Sequence, residues 1–223
     1  MKKYMVYLCA VMAIFVLSGY TGQIASGATA AGNQSVASEW ASAHITRAHS
    51  LRLIPHSLFA NSPTFTDYTI PITRAEFAAL AVTLYETVTG ADIIGRTSFN
   101  DTTDISVEKI AYLGVVFGVG NNLFDPYSPL TREQAAAMLT RLFFAIHNYL
   151  GTNLPAMFIM PPLADIFTDY EQISPWAFDG VASALVLGIM GGVGDNMFDP
   201  GGSYTREQSI VTILRLFGMV GEM

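Results

Sequence analysis

The sequence repeats itself at a fixed interval. The segment 118–126 (GVGNNLFDP) returns at 192–200 as GVGDNMFDP, an interval of 74 residues. At the same interval the segment 130–134 (LTREQ) returns at 204–208 as YTREQ, and a third copy, ITRAEF, lies upstream at 72–77. One repeated unit cannot bury its apolar face alone, so neighbouring copies must pack together. We therefore expect three units around a shared core.

A Thr-Arg pair begins an amphipathic helix in each unit. Apolar residues follow each pair at intervals of three and four, the period of a helix. The threonine is a good N-cap, and a Glu or Gln three residues later completes a capping box. The three boxes are Thr73/Glu76, Thr131/Gln134 and Thr205/Gln208. We interpret these threonines and their Glu or Gln partners as structural.

A shorter helix is predicted before each of these. The predicted spans are 40–51, 106–113 and 174–187, the last with Ser174-Pro175 as N-cap and first turn. Gly114 and Gly188 follow two of the spans as C-terminal stops, whereas Arg52 stands at that place in the first unit. The predicted fold class is all-α, with three helix-loop-helix units.

The N-terminus is typical of a secretory signal peptide. Lys2 and Lys3 precede an uncharged apolar run at 4–17 and a small-residue region that ends Ala28-Thr29-Ala30. We expect residues 1–30 to be removed after export. Cys9, the single cysteine, would leave with this segment, so the mature chain would have no disulfide and no thiol nucleophile.

The mature chain is acidic. Of the eleven Lys and Arg, nine remain after Lys2 and Lys3 are removed, against all eighteen Asp and Glu, which gives a net charge of −9. Nucleic acid is therefore an unsuitable partner. A second apolar run at 142–164 is interrupted by Gly151, Asn153 and three prolines. We expect it to be a helix end followed by a loop, with no membrane partner after signal cleavage.

The arginine of the Thr-Arg pair needs a reason beyond capping. The helix dipole disfavours a cation in the first turn, yet Arg74, Arg132 and Arg206 place three of the nine remaining cations there. One interpretation is an ion pair with a neighbouring acid, Glu133 or Glu207. We favour an anion receptor that combines the guanidinium with free backbone N–H groups. On that interpretation, alanine at positions 132 and 206 would weaken binding without lowering the melting temperature.

The sequence offers no catalytic or metal-binding motif. The Gly-Val-Gly loops lack the following Lys-Ser/Thr of a phosphate-binding loop. They also lack the alternating carboxylates of an EF-hand. The four histidines include no His-Glu-x-x-His, and no pair of carboxylates stands out as acid and base. We expect neither an enzyme nor a cofactor.

The combination of motifs resembles a known family. Each of the last two units opens with Phe-x-Asp, at 99–101 and 167–169, and continues with the glycine loop and Thr-Arg-Glu-Gln. This order resembles the S-layer homology repeat of bacterial cell-surface proteins. The first unit resembles the same repeat with a rebuilt centre at 57–70. We place the repeats at 31–94, 95–164 (with a linker) and 165–223.

The resemblance implies a function. Such repeats form a pseudo-threefold helical module that binds secondary cell-wall polysaccharide without catalysis, often at a pyruvylated N-acetylmannosamine end. The arginine would contact the ketal carboxylate, the glycine loop would contact the sugar, and a tryptophan would line the groove or fill the core. For the tryptophans we favour core. The residues implied are Arg74, Arg132, Arg206, Gly118, Gly120, Asn121, Gly192, Gly194, Asp195, Trp40 and Trp176.

Departures from the family pattern limit the number of sites. The first unit has no glycine loop, and the second has no tryptophan, so we expect one or two competent grooves. The implied location is the cell wall or surface layer, where surface-layer proteins are possible partners. A protein-binding helical module exported to the cell surface is the alternative. Because the chain stops at Met223, the module is either the whole product or one part of a longer protein.

Overall fold

The computed structural model describes residues 34–59, 65–152 and 160–220. Within them the chain is mostly helical, as predicted. The predicted signal peptide lies outside these residues. Two short strands pair in parallel within the first unit, β1 (Gln34–Val36) and β2 (Phe65–Asp67). The helices are α1 (Glu39–Ser50), α2 (Arg74–Thr89), α3 (Ile105–Tyr112), α4 (Arg132–Leu150), α5 (Phe178–Val186) and α6 (Arg206–Val220).

All three predicted capping boxes are present. The Thr73 hydroxyl accepts the N–H of Glu76, whose carboxylate accepts the N–H of Thr73. Thr131 with Gln134, and Thr205 with Gln208, exchange the same pair of bonds. The three long helices α2, α4 and α6 therefore begin at equivalent positions, each with its arginine as the first helical residue.

The short helices of all three units are followed by a residue in the left-handed conformation. Gly114 and Gly188 follow α3 and α5 with left-handed φ values of 71° and 68°, and Arg52 follows α1 with φ 57°. A non-glycine residue pays about 1 kcal/mol or more for this conformation, so the first unit keeps the turn without its preferred residue. The helix predicted at 174–187 begins later, at Phe178, after a turn at residues 175–177.

The units close into a ring. The long helices α2, α4 and α6 pack against one another, and each also packs against the short helix of the next unit, α3, α5 and α1 respectively. Three backbone hydrogen bonds link the units in a cycle. Ile72 donates to Tyr204 (2.8 Å), Tyr204 to Leu130 (2.9 Å), and Leu130 back to Ile72 (2.9 Å). The predicted pseudo-threefold arrangement follows, with three junctions between units.

The apolar run at 142–164 contains a helix end, as predicted. Helix α4 stops at Leu150, and Gly151 closes it with a left-handed φ of 64°. The segment 153–159 lies outside the described residues. No helix in the part of the chain that the structure describes is long and apolar enough to cross a bilayer.

Candidate functional site

The backbone N–H groups at the starts of the long helices are already bonded. At α2, the N–H groups of Arg74 and Ala75 donate to carbonyl oxygens of Ser128 and Pro126 (3.1 and 3.0 Å). At α4 they donate to the corresponding loop of the third unit, and at α6 to residues 68 and 70 of the first. The next N–H goes to the capping threonine. The predicted anion receptor of free helix N–H groups is therefore wrong.

Arg74 and Arg132 are buried and join neighbouring units. Nε of Arg74 donates to the Phe124 carbonyl (2.9 Å) and Nη2 to that of Phe117 (2.8 Å). The Arg132 guanidinium repeats this on the third unit, to the carbonyls of Phe198 and Gly191 (both 2.8 Å). Each guanidinium also stacks over a phenylalanine ring, at 4.5 Å from Phe124 and 5.0 Å from Phe198. Both arginines therefore hold the next glycine loop in place.

The ion pairs suggested from sequence are also absent from the described residues. Glu133 accepts the N–H and hydroxyl of Ser174 (both 2.9 Å), and Glu207 accepts the same groups of Ser38 (2.9 and 2.8 Å). These acids fix the start of the next unit's short helix rather than neutralising an arginine. Burial lowers the pKa of the Arg74 and Arg132 guanidiniums, and nearby aspartates oppose that shift. Arginine nevertheless stays charged at neutral pH.

A groove opens beside Arg74. This Arg74 groove has a volume of about 360 Å³ and lies between the glycine loop of the second unit, α4 and the start of the third unit. Its lining includes a second cation, Arg141, whose guanidinium stacks over the Phe117 ring at 4.7 Å. Trp176 forms an aromatic wall. Nη1 of Arg74 donates no hydrogen bond to any described residue, so the groove presents unused donors.

An equivalent groove opens beside Arg132. The Arg132 groove has a volume of about 390 Å³ and again contains a second arginine, Arg215, and a tryptophan, Trp40. Arg215 donates to the Ile189 carbonyl (3.1 Å). Among the described residues that line either groove there is no carboxylate. Each groove therefore carries two positive charges in a chain whose overall charge is negative.

The tryptophans are walls and not core. The exposed fraction is 52% for Trp40 and 54% for Trp176, and each ring lines one groove. The interpretation that they fill the core is wrong. A serine two residues before each tryptophan bonds to a glutamate of a neighbouring long helix, Ser38 to Glu207 and Ser174 to Glu133. This contact brings the tryptophan ring to the edge of the junction.

Only part of each predicted glycine loop reaches a groove. Gly118 and Gly192 line the two cavities. A Cβ at Gly118 would lie 2.6 Å from the Leu123 carbonyl oxygen, and one at Gly192 2.6 Å from that of Met197. Glycine is needed at both positions because a carbonyl oxygen of the same loop lies where a side chain would begin. The predicted site residues that form the loop tips and lie outside the described linings are Gly120, Asn121, Gly194 and Asp195.

The Phe-x-Asp motif anchors these loops. The carboxylate of Asp101 accepts the N–H groups of Phe124 and Asp125 (2.8 and 2.7 Å), and Asp169 does the same for the third unit. The backbone hydrogen bonds lower the pKa of Asp101 below its usual value. The two aspartates thus hold the glycine loops that line the grooves, and their carboxylates are not among the described residues that line either groove.

The third junction differs from the other two. Here Nε and Nη2 of Arg206 both donate to the carboxylate of Glu76, and Nη1 donates to the Asp67 carbonyl (3.2 Å). The side chains of Arg206 and Glu76 are each 13% exposed. At the same place the two grooves have Gln134 and Gln208, which are neutral. We call this junction the Arg206 interface, and all three nitrogens of its guanidinium donate within the protein.

Two kinds of groove residue were missed from the sequence. Arg141 and Arg215 lie nine positions after Arg132 and Arg206, and the 74-residue interval could have revealed them. The first unit has Thr83 at that position. The change from Glu76 to Gln134 and Gln208 was visible too, but it was interpreted only as capping. Within the described residues, no group of three or more His, Cys, Asp or Glu could hold a metal ion.

Comparison with known proteins supports the resemblance for two units. The model of the S-layer homology domain matches residues 99–136 and 166–208, so these two segments are S-layer homology segments. The first unit is not part of this match.

Three known proteins are similar in sequence to part of the chain. It is 30% identical over 156 residues to an amylopullulanase of Thermoanaerobacterium thermosulfurigenes, which covers 68% of this chain and 8% of that protein. An endoglucanase of Bacillus sp. (strain KSM-635) is 36% identical over 107 residues, or 48% of this chain and 10% of the enzyme. The exoglucanase XynX of Acetivibrio thermocellus is 29% identical over 154 residues, or 65% and 13%. The chain thus spans about a tenth of these relatives' lengths.

Proposed function

We propose that this chain is a non-catalytic anchoring module that binds an anionic cell-wall glycan in the Arg74 and Arg132 grooves. The observation that carries the proposal is the pairing of two arginines with one half-exposed tryptophan in each groove, with no carboxylate among the described lining residues. Guanidinium groups bind carboxylates through charge-assisted hydrogen bonds. An aromatic wall suits the C–H face of a sugar ring.

The ligand class follows from these contacts. A carboxylate-bearing sugar, such as pyruvylated N-acetylmannosamine, offers one anionic group to the arginines and one ring to the tryptophan. The grooves, at about 360 and 390 Å³, fall within the size range of small-molecule sites. In an acidic chain, long-range attraction to an anionic polymer is weak, so affinity must come from these local contacts.

The relatives support anchoring over catalysis. Three carbohydrate-degrading enzymes share this segment, yet it makes up only 8–13% of each. Such a small shared part fits a module attached to different catalytic chains. We extend the repeat assignment to the first unit on the ring closure and on the left-handed Arg52, and we propose a location at the cell wall or surface.

The first test is binding to isolated cell walls. The protein should sediment with sacculi that carry the secondary polymer. It should stay in solution when pyruvyl groups are removed or when the polymer is stripped from the peptidoglycan. Equal retention on stripped peptidoglycan would contradict the glycan proposal, and retention only with surface proteins present would favour the protein-binding alternative.

The second test targets the arginines that are not buried in a junction. Arg141→Ala and Arg215→Ala each remove one cation from one groove. Loss of a charge-assisted hydrogen bond predicts weakening of about tenfold or more at that groove, measured by calorimetry with a pyruvylated N-acetylmannosamine glycoside. Thr83→Ala at the Arg206 interface is the matched control, and it should change nothing. Unchanged affinity in both arginine variants would refute the proposed contacts.

A further inference from the structure

The Arg74 groove adjoins a second cavity. This cavity, which we call the Trp176 cavity, has a volume of about 320 Å³ and lies between α4 and α5. Arg141 and Trp176 line both spaces. The two spaces therefore adjoin at these two side chains.

The lining of the Trp176 cavity differs from that of the groove. It adds an aromatic ring, Phe144, with 38% of its surface exposed. It also adds the hydroxyls of Thr140 and Ser183, each residue 6% exposed. Thr140 donates to the Gly180 carbonyl (3.0 Å), which leaves its oxygen lone pairs to accept. The cavity thus combines aromatic faces with hydroxyl groups.

Charge indicates a neutral occupant. The carboxylate of Asp179 lines the Trp176 cavity and bonds to no described residue. It balances Arg141, the one cation in this lining. A second anionic sugar would meet Asp179 at close range and be repelled, whereas the hydroxyl groups of a neutral sugar can donate to it. The groove favours an anion, and its extension does not.

We propose that the Trp176 cavity binds a neutral sugar residue linked to the anionic sugar held in the Arg74 groove. The inference rests on the proposed function and extends it from one sugar to two. Trp176 is then a shared wall, in contact with both sugars. The Arg74 groove therefore prefers a disaccharide over the single anionic sugar.

The Arg132 groove has no neighbouring side chains equivalent to those of the Trp176 cavity. Trp40 aligns with Trp176, since the serines two residues before them are held by equivalent glutamates. Around Trp40 the carboxylate, both hydroxyls and the phenylalanine are all replaced. The aligned residues are Ala43 for Asp179, His44 for Gly180, Arg47 for Ser183, Leu214 for Thr140 and Gly218 for Phe144. The disaccharide preference is thus confined to the Arg74 groove.

The two tryptophans make the grooves separately measurable. The chain has only Trp40 and Trp176, so its two indole N–H signals, assigned with Trp40→Phe, report one groove each. The titrations compare pyruvylated N-acetylmannosamine with the same sugar linked to a neutral N-acetylhexosamine. At Trp176 the disaccharide should bind at least about threefold more tightly. At Trp40 the two ligands should bind equally.

Asp179→Ala and Phe144→Ala should each reduce the preference at Trp176 without changing the affinity for the single sugar. Glu39→Ala is the control, because it removes a first-turn acid from α1 beside Trp40. Equal affinities for both ligands at Trp176, or a preference that survives both variants, would overturn this inference alone. If neither ligand shifts either indole signal, the proposed function fails with it.

Discussion

The two grooves and the Arg206 interface each have an arginine at a helix start, but they differ in the charge of the capping residue beside it and in the side chains around it. At all three junctions an arginine at a helix start reaches the next unit. Beside Arg74 and Arg132 the capping residue of that unit is a neutral glutamine, whereas beside Arg206 it is Glu76. The carboxylate of Glu76 occupies the guanidinium as a ligand carboxylate would. The comparison teaches that a carboxylate beside the arginine makes an internal ion pair, whereas an available receptor needs a neutral residue there together with a second arginine and a glycine loop.

The largest expected effect tests how far the arginines are structural. Arg132→Ala removes two charge-assisted hydrogen bonds and leaves the buried carbonyl of Phe198 and the partly buried carbonyl of Gly191 without this donor. We expect a loss of about 3 kcal/mol in the free energy of unfolding, measured by denaturant titration, together with loss of glycan binding. This corrects the expectation from sequence that the melting temperature would not change. An unchanged free energy of unfolding would mean that these bonds contribute nothing to the junction.

The next prediction concerns a double variant that places a carboxylate beside the arginine in both grooves. The double variant Gln134→Glu and Gln208→Glu copies Glu76 into both of them. Glutamate keeps the capping box, as Glu76 does, so stability should be retained. Each new carboxylate should neutralise its arginine and repel an anionic ligand, weakening glycan binding by about a hundredfold or more. Calorimetry measures the effect, and binding at the original affinity would break the comparison.

The reverse substitution should have a smaller effect. Glu76→Gln removes the ion pair with Arg206, whose partners are each only 13% exposed. We expect a loss of about 1 kcal/mol in the free energy of unfolding. No third binding site should appear, because Thr83 replaces the second arginine and the glycine loop is missing. A gain of glycan binding in this variant would show that Glu76 alone keeps the interface closed.

The smallest effect concerns pH. Backbone hydrogen bonds lower the pKa of Asp101 in the folded chain. The ionised carboxylate therefore supports the loop fully at any pH above the pKa that Asp101 has in the unfolded chain. This support is lost as the pH falls through the lower pKa of the folded chain. Glycan affinity at the Arg74 groove should therefore be flat from about pH 5 to 8 and fall only below about pH 4. A titration of the Trp176 indole signal against pH measures this. A change in affinity centred near pH 6.5 would indicate a histidine instead.

Local signals in the sequence were enough to predict the helices. Capping boxes, apolar periods and C-terminal glycines depend on residues within one turn of each other, and the structure has them where expected. Arg52 was noted as an exception, and it adopts the glycine conformation. The predicted start of α5 was too early, because residues 175–177 form a turn and the helix begins only at Phe178.

The site was predicted in part. Arginine, glycine and tryptophan motifs pointed to residues that the structure brings together in two grooves, but not to the atoms that remain available there. The acceptors of the helix N–H groups and of the guanidiniums are carbonyls of the following unit. Backbone oxygens have no sequence signature, so the free helix N-terminus was wrongly expected. Arg141 and Arg215 were readable from the repeat interval and were overlooked because they lie mid-helix.

The number of glycan sites per chain tests the central claim most directly. Calorimetry with pyruvylated N-acetylmannosamine, followed in parallel by the Trp40 and Trp176 indole signals, counts them. The account predicts two sites per chain, with both indole signals titrating, and one site after either Gln134→Glu or Gln208→Glu. Three sites, or two sites that persist after either substitution, would contradict it.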